Sequence, residues 1–317
     1  MLFWLQATYR QLDTLRESRQ LPHAIMLTGR RGLGKRQLAL QLAADGLTAT
    51  VLTDAVGASL TPEDLRSPDF HYVSPLEDKK QISIDQIRVL SEKLGLSAHA
   101  GQKVAVIDTA DSMTLAAANA LLKTLEEPAG DCTLILLADD LSRIPATIIS
   151  RCVTFRIPTP PRSQSQQWIA EQGNSAADAA TALMLHNDAP VAALAALADG
   201  SVAVLAQIEQ DIAAIVDGRK PPLAIAEAWR SYEIRDVLRA LEVVTSRWIY
   251  PDSERLGTTS KFRDYVIDTR DAFCYLDKLK SARKATQGSV NTELAIDSLV
   301  LPWQNGLAGL ASPLRGH

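Results

Sequence analysis

The sequence predicts an α/β domain built on a parallel sheet, followed by an all-helical region. Three observations carry that expectation. Short, near-continuous apolar runs recur through the first half, with stretches of helical periodicity between them. Strands that are apolar throughout belong to a parallel sheet covered on both faces. A glycine-rich turn follows the first of these runs directly, in "LTGRRGLGKRQLALQLA" from Leu27. Past a proline-rich break, "IPTPPRSQ" at 157–164, the β signal nearly vanishes.

Taken in order, a helical pattern at about 3–20 precedes "HAIMLTG" (23–29), an apolar run ending in Gly. The turn follows, then a helix from Lys35 to about Ala44. "DFHYVSP" (69–75) reads as a strand closed by Pro75. "SIDQIRVLSEKLGL" (83–96) reads as a helix with Ser83 as N-cap, because Ile84, Ile87, Leu90 and Leu94 keep helical spacing. "KVAVIDTAD" (103–111) is a buried strand ending in acid. "LAAANALLKTLEEP" (115–128) is a helix stopped by Pro128, with Ala118, Leu121, Leu122 and Leu125 on one face. "CTLILLADD" (132–140) and "VTFRI" (153–157) complete the strands. Ligands of such sheets sit at the carboxyl ends of the strands. The glycine-rich turn, Asp108 and Asp139–Asp140 all fall there.

Beyond the break the pattern is Ala-rich and helical, and from about 205 onward it reads as a helical domain. Residues 45–68 and the last ten residues have weak patterning and read as loop-like or frayed. The expected divisions are 1–160, 161–204 and 205–317.

Bulk composition narrows the function. The chain of 317 residues is 46% apolar and 22% charged, ordinary for a soluble globular protein. Its net charge of −4 argues against a protein whose main work is gripping nucleic acid, which carries a basic surplus. No run approaches the roughly 20 apolar residues of a membrane span. The start "MLFWLQATYRQLDTL" lacks a basic leader and cleavage site, so a cytoplasmic location is expected. Cys132, Cys152 and Cys274 are far apart, as free thiols are, and Cys132 and Cys152 read as small buried hydrophobes.

The turn has most of a phosphate-binding loop. Gly29, Gly32, Gly34 and Lys35 can build the cradle, but Arg36 stands where a Ser or Thr would ligate Mg²⁺. A second cation at ~4 Å from that metal costs several kcal/mol at an effective dielectric near 20. Three readings stay open: hydrolysis of a Mg–nucleotide, metal-free anion binding by Arg30, Arg31, Lys35 and Arg36 at the helix N-terminus, and a vestigial turn. Asp108 ends its strand as a metal-supporting acid would, or as an acid capping a nearby turn. The next position, where an ATPase of this kind carries a water-orienting Glu, is Thr109, and Asp111 falls at the following helix cap. In "TIISRCVTF" (147–155), Arg151 either forms a salt bridge at home or reaches a phosphate on a neighbouring protein.

Together "LPHAIMLTG", "QISIDQIRVL", "DTADSMTLAAANALLKTLEEP", "IPATIISRC" and "NTELAIDSLVLPW" resemble the delta-prime family of bacterial DNA polymerase III clamp-loader subunits, which are AAA+ proteins. The resemblance runs from about Trp4 to Trp303. It implies a RecA-like AAA+ domain over 1–160, a helical lid over 161–204 and a helical collar over 205–317 that joins subunits in a pentameric ring. It implies a non-motor subunit beside an ATP-hydrolysing gamma/tau subunit, with delta, a sliding clamp and primed DNA reached through the complex. It implies that Arg151 is an arginine finger in the neighbour's ATP site, for which a forked, permanently charged side chain is suited.

Three departures bear on this. The family's four-cysteine zinc module is expected to be missing, because residues 45–68 contain neither Cys nor His, and no metal or cofactor is expected. Lys35 is retained, which leaves nucleotide affinity open. The matching stretch of the motor subunits' lid arginine places Val191 there. The rival reading is an active P-loop ATPase motor subunit, against which Arg36, Thr109 and Val191 speak. A stand-alone nucleic-acid-binding protein is disfavoured by the acidic balance. The collar is expected to carry the assembly contact, with Trp229, Trp248 and Trp303 either contributing to it or filling their own core.

Overall fold

The computed structural model describes residues 1–47, 60–77, 79–99, 101–128, 130–250, 268–286, 291–308 and 310. It forms two compact units, Met1–Pro160 and Pro161–His317.

In the first unit, a 3-10 turn at Phe3–Leu5 leads into helix α1 (Gln6–Glu17), so the helical pattern at 3–20 is split and shorter than expected. Strand β1 (Ala24–Thr28) and helix α2 (Lys35–Gly46) enclose the glycine-rich turn. Strand β2 (Phe70–Val73), helix α3 (Ile84–Gly95), strand β3 (Lys103–Ile107), helix α4 (Leu115–Glu126) and strand β4 (Cys132–Ala138) follow. The short helix α5 (Ala146–Ile149) precedes strand β5 (Val153–Arg156). The five strands are parallel, in the order β2-β3-β4-β1-β5. β1, β3 and β4 are buried along their whole length. Ala24, Met26, Ala105, Ile107, Leu134 and Leu136 face one layer, where they meet Ile87, Leu90 and Leu94 of α3 and Leu121 and Leu125 of α4. The alternate residues, such as Ile25, Val104 and Ile135, face the opposite side, towards Leu42 of α2.

Local signals set the helix ends. Ser83 and Gln86 form a capping box at α3, the Ser83 hydroxyl accepting from the Gln86 N–H and the Gln86 side chain from the Ser83 N–H. At the other end of α3, the buried Lys103 ammonium donates to the carbonyls of Lys93 and Leu96, where a cation suits the helix C-terminus. The N-cap of α4 is Thr114, whose hydroxyl accepts from the Ala117 N–H. Asp111, expected at that cap, lies instead in a 3-10 turn at Ala110–Ser112. This turn lies between the end of β3 at Ile107 and the start of α4.

The second unit is helical throughout its described residues: α6 (Arg162–Ala170), α7 (Ala176–Leu185), α8 (Pro190–Ala198), α9 (Ser201–Val216), α10 (Pro222–Trp229), α11 (Ile234–Ile249), α12 (Thr269–Ala285) and α13 (Thr292–Val300). A small cluster of Ile169, Ala179, Ala182, Leu183 and Ala193 joins α6, α7 and α8. A larger cluster is built from α9 to α13, with Met184 and Leu185 of α7 reaching into it. Helix α9 runs unbroken across 204–205, and Val202 packs against both clusters.

Trp229, Trp248 and Trp303 fill this core. Trp229 and Trp303 are fully buried and Trp248 nearly so. The Trp303 indole donates to the Tyr275 hydroxyl, which donates to the Leu299 carbonyl, and the Trp229 indole donates to buried Asp211. An amphipathic helix must bury its apolar stripe somewhere, and here the other helices of the unit cover it. Cys132 is buried, Cys152 half-buried against the α3–α4 layer, and Cys274 exposed. Burial pushes the Cys132 and Cys152 thiols up to about 11, so both behave as small hydrophobes. Residues 48–59 of the segment expected to lack the zinc module, and 311–317 of the frayed terminus, lie outside the described residues. Among the described residues no single helix is long and apolar enough to cross a membrane, and α8 and α9, which reach that length together, meet at a bend of 78°.

Candidate functional site

The site lies at the carboxyl edge of the sheet. Thr28 pairs with Ala138, so the glycine-rich turn and Asp139 leave neighbouring strand ends side by side, and the Gly29 N–H donates to the Ala138 carbonyl. β3 pairs with β4 and delivers Asp108 to the same edge.

The glycines of the turn take conformations and close approaches that a side chain would hinder. Gly34 is in the left-handed region (φ 84°) as the N-cap of α2, and a Cβ there would lie 2.7 Å from Leu2 Cδ1. Gly29 passes 3.0 Å, measured from an ideal Cβ, from the Ile157 carbonyl. Gly32 also has positive φ. The Trp4 indole donates to the Leu33 carbonyl at 2.8 Å and ties the turn to the N-terminal segment.

The charges are paired with one another, Lys35 buried and Arg36 exposed. Lys35 is only 6% exposed, and its ammonium donates to the carbonyls of Gly29 (2.7 Å) and Arg30 (3.0 Å) and to Asp139 (2.6 Å). An ammonium has three donors, and these three acceptors match them. Arg36, in the Mg²⁺-ligand position, donates through Nε to Asp108 at 2.5 Å. The Tyr72 hydroxyl donates to the same Asp108 oxygen, also at 2.5 Å. Burial, then this bond, push the Tyr72 hydroxyl well above the usual phenol range, so it remains a donor. Thr109 takes the left-handed conformation (φ 65°), a strained one for a β-branched residue, and its hydroxyl donates back to the Asp108 carbonyl. Asp111 accepts the Asp139 N–H. Burial raises its carboxyl above the usual range. Asp140 turns away and caps a 3-10 turn through Ser142.

Arg151 lies elsewhere on the unit, in the turn between α5 and the edge strand β5. It is exposed, and its guanidinium pairs with Glu126 at 2.6 Å and donates to the Thr147 carbonyl at 2.9 Å. Val191 is the second residue of α8, in the other unit. The structure thus brings together Gly29, Gly32, Gly34, Lys35, Arg36, Asp108 and Asp139, and keeps Arg151 apart. Tyr72 and Glu126 escaped sequence reasoning. Tyr72 sits mid-strand in an apolar run, and Glu126 reads as one of two acids ending a helix, so no local pattern singles out either.

A five-stranded parallel sheet of this order, with a glycine-rich loop between β1 and α2 and an acid directly after β3, defines a RecA-like chain of the AAA+ class. A family model described as "DNA polymerase III, delta subunit" matches residues 4–161. The chain is 34% identical over 235 residues to DNA polymerase III subunit delta' of Pseudomonas aeruginosa, covering 72% of this chain and 71% of that one. It is 37% identical over 130 residues to the subunit of the same name from Escherichia coli, covering 40% and 39%. This chain belongs to the DNA polymerase III delta-prime subunit family. The fold also matches a solved DNA polymerase III gamma-subunit-related protein of Thermotoga maritima, at TM-score 0.50 and 16% identity, covering 94% of this chain and 99% of that one.

Proposed function

We propose that this chain is a clamp-loader subunit that does not turn over ATP itself. It assembles with gamma/tau and delta subunits in a pentameric ring in the cytoplasm and helps that complex place a sliding clamp on primed DNA. Arg151 enters the ATP site of the adjacent gamma/tau subunit as an arginine finger. In this reading 1–160 is the RecA-like domain, 161–204 the lid and 205–317 the collar.

One observation carries the non-motor part: the two cations that open α2 are engaged by carboxylates of the chain, Lys35 by Asp139 and Arg36 by Asp108. A working loop offers its lysine to the β- and γ-phosphates and a hydroxyl to Mg²⁺. Here Asp139 places negative charge on Lys35, where a phosphate would have to displace it. Thr109 carries no carboxylate to orient water. Exposure of Arg151 at the sheet edge fits a side chain that acts on a neighbour.

Mg–ATP turnover by the isolated protein tests the first part. No activity above background is expected, and Mg-dependent turnover lost in Lys35→Ala would establish the rival, a motor subunit. Arg151→Ala in the reconstituted complex tests the second. A finger is worth roughly 10³–10⁵ in rate at the site it serves. The variant should melt normally and assemble normally, yet lose hydrolysis at that one site. Arg151→Lys should rescue poorly, because an ammonium lacks the fork.

A further inference from the structure

Glu126 is the last residue of α4, and Glu127 follows it. A carboxylate at a helix C-terminus opposes the helix dipole, so Glu126 has no local reason to be acidic. Its partner supplies one. Glu126 Oε1 lies 2.6 Å from Arg151 Nη2, while Arg151 Nη1 donates to the Thr147 carbonyl. Both faces of the guanidinium fork are therefore engaged within the chain. Both side chains remain open to solvent, 36% for Arg151 and 50% for Glu126, so the pair can be broken without opening the core.

We infer that Glu126 is a latch on Arg151, holding its guanidinium at home until a phosphate on the neighbouring subunit displaces the carboxylate. The inference rests on the reading of Arg151 as a trans-acting finger. A phosphate and the Glu126 carboxylate cannot both lie against one guanidinium without repelling each other, because like charges that close oppose one another. Presenting the finger thus requires release of the pair with Glu126. The Thr147 carbonyl carries no net charge and can stay bonded, keeping the side chain oriented. Glu126 is a positioning residue in this scheme, since it acts only through Arg151.

The test compares hydrolysis at the adjacent ATP site in reconstituted complexes whose other sites are silenced. Glu126→Gln keeps the shape and removes the charge. It is expected to raise kcat at that site about two- to fivefold at low salt, the span of an exposed ion pair. The gain should shrink towards unity at ~0.5 M salt, where the Debye length falls to a few ångströms and the wild-type latch is itself screened. Glu126→Asp, charged but shorter, should fall between. In an Arg151→Ala background Glu126→Gln should change nothing further. If Glu126→Gln leaves the rate unchanged or lowers it while Arg151→Ala still abolishes it, the latch is wrong and the finger stands. If Arg151→Ala has no effect, the finger fails and the latch with it.

Discussion

Asp139 lies one residue beyond β4 and meets a lysine 104 positions earlier in the chain. The pair is a test of how much this site depends on its own carboxylates. Asp139→Ala leaves a nearly buried ammonium with two carbonyls and no counter-charge, which should cost about 1–3 kcal/mol. Urea unfolding should show that loss as a lower midpoint at unchanged slope. Millimolar inorganic phosphate should raise the variant's midpoint more than the wild type's, because an anion can take the place the carboxylate left. Asp111 makes the opposite case. Burial raises its carboxyl above the unfolded value, so its charged form is less stable in the fold than in the open chain. Such a group favours the fold below the unfolded pKa of about 3.9 and penalises it as pH rises through the folded value. Asp111→Asn keeps an oxygen for the Asp139 N–H and removes the charge. Thermal melting should therefore show the variant gaining stability at pH 7 and losing that advantage below about pH 4.

At the scale of elements, side-chain caps mark the starts of α3, α4, α7, α12 and α13. The α3 capping box satisfies two backbone N–H groups that the helix itself cannot, those of Ser83 and Gln86. Ser83→Ala should cost about 1 kcal/mol, read by chemical denaturation. Because α3 covers one face of the sheet through Ile87, Leu90 and Leu94, the loss should appear as lower global stability of the first unit, not as local fraying. Helix α2 begins differently. Gly34 stands at its N-cap in the left-handed region with no side chain to cap it. The first turn is tied down instead through Lys35, which joins the loop carbonyls to the end of β4.

For the whole molecule, the position of a cut matters because the helical unit shares one core. Met184 and Leu185 of α7 belong to the cluster built from α9 to α13. A chain ending at residue 200 would uncover them and should aggregate or bind a hydrophobic dye. A chain ending at residue 160 stops where the first unit stops and should unfold in one cooperative transition. It should also fail to co-purify with the clamp-loader subunits if the collar makes the lasting contact, and undiminished assembly of that fragment would rule the collar out. The buried tryptophans redirect the search for that contact. Exposed apolar positions of the same unit, Leu223, Phe273 and Leu294, can meet a partner directly, whereas Trp229 and Trp303 cannot.

The sequence by itself determined the parallel α/β half, the helical half and the break between them. Apolar runs of strand length, 3.6-residue periodicity and a proline cluster are local signals, and each was readable where it stood. It also placed Arg36 where a phosphate-binding loop of this pattern carries a hydroxyl, whatever the fold does around it. Only the tertiary structure decided what the charges do. Lys35 meets Asp139, Asp108 meets both Arg36 and Tyr72, and Arg151 meets Glu126, across separations of 104, 72, 36 and 25 residues that no periodicity encodes. A charge in a sequence has a sign and a place on an element, but its partner is chosen by which strand ends and helix ends the fold brings within a few ångströms. The same reason hid the fate of the tryptophans, because an apolar stripe on a helix says that it must be covered and leaves open whether its own unit or a neighbour does so.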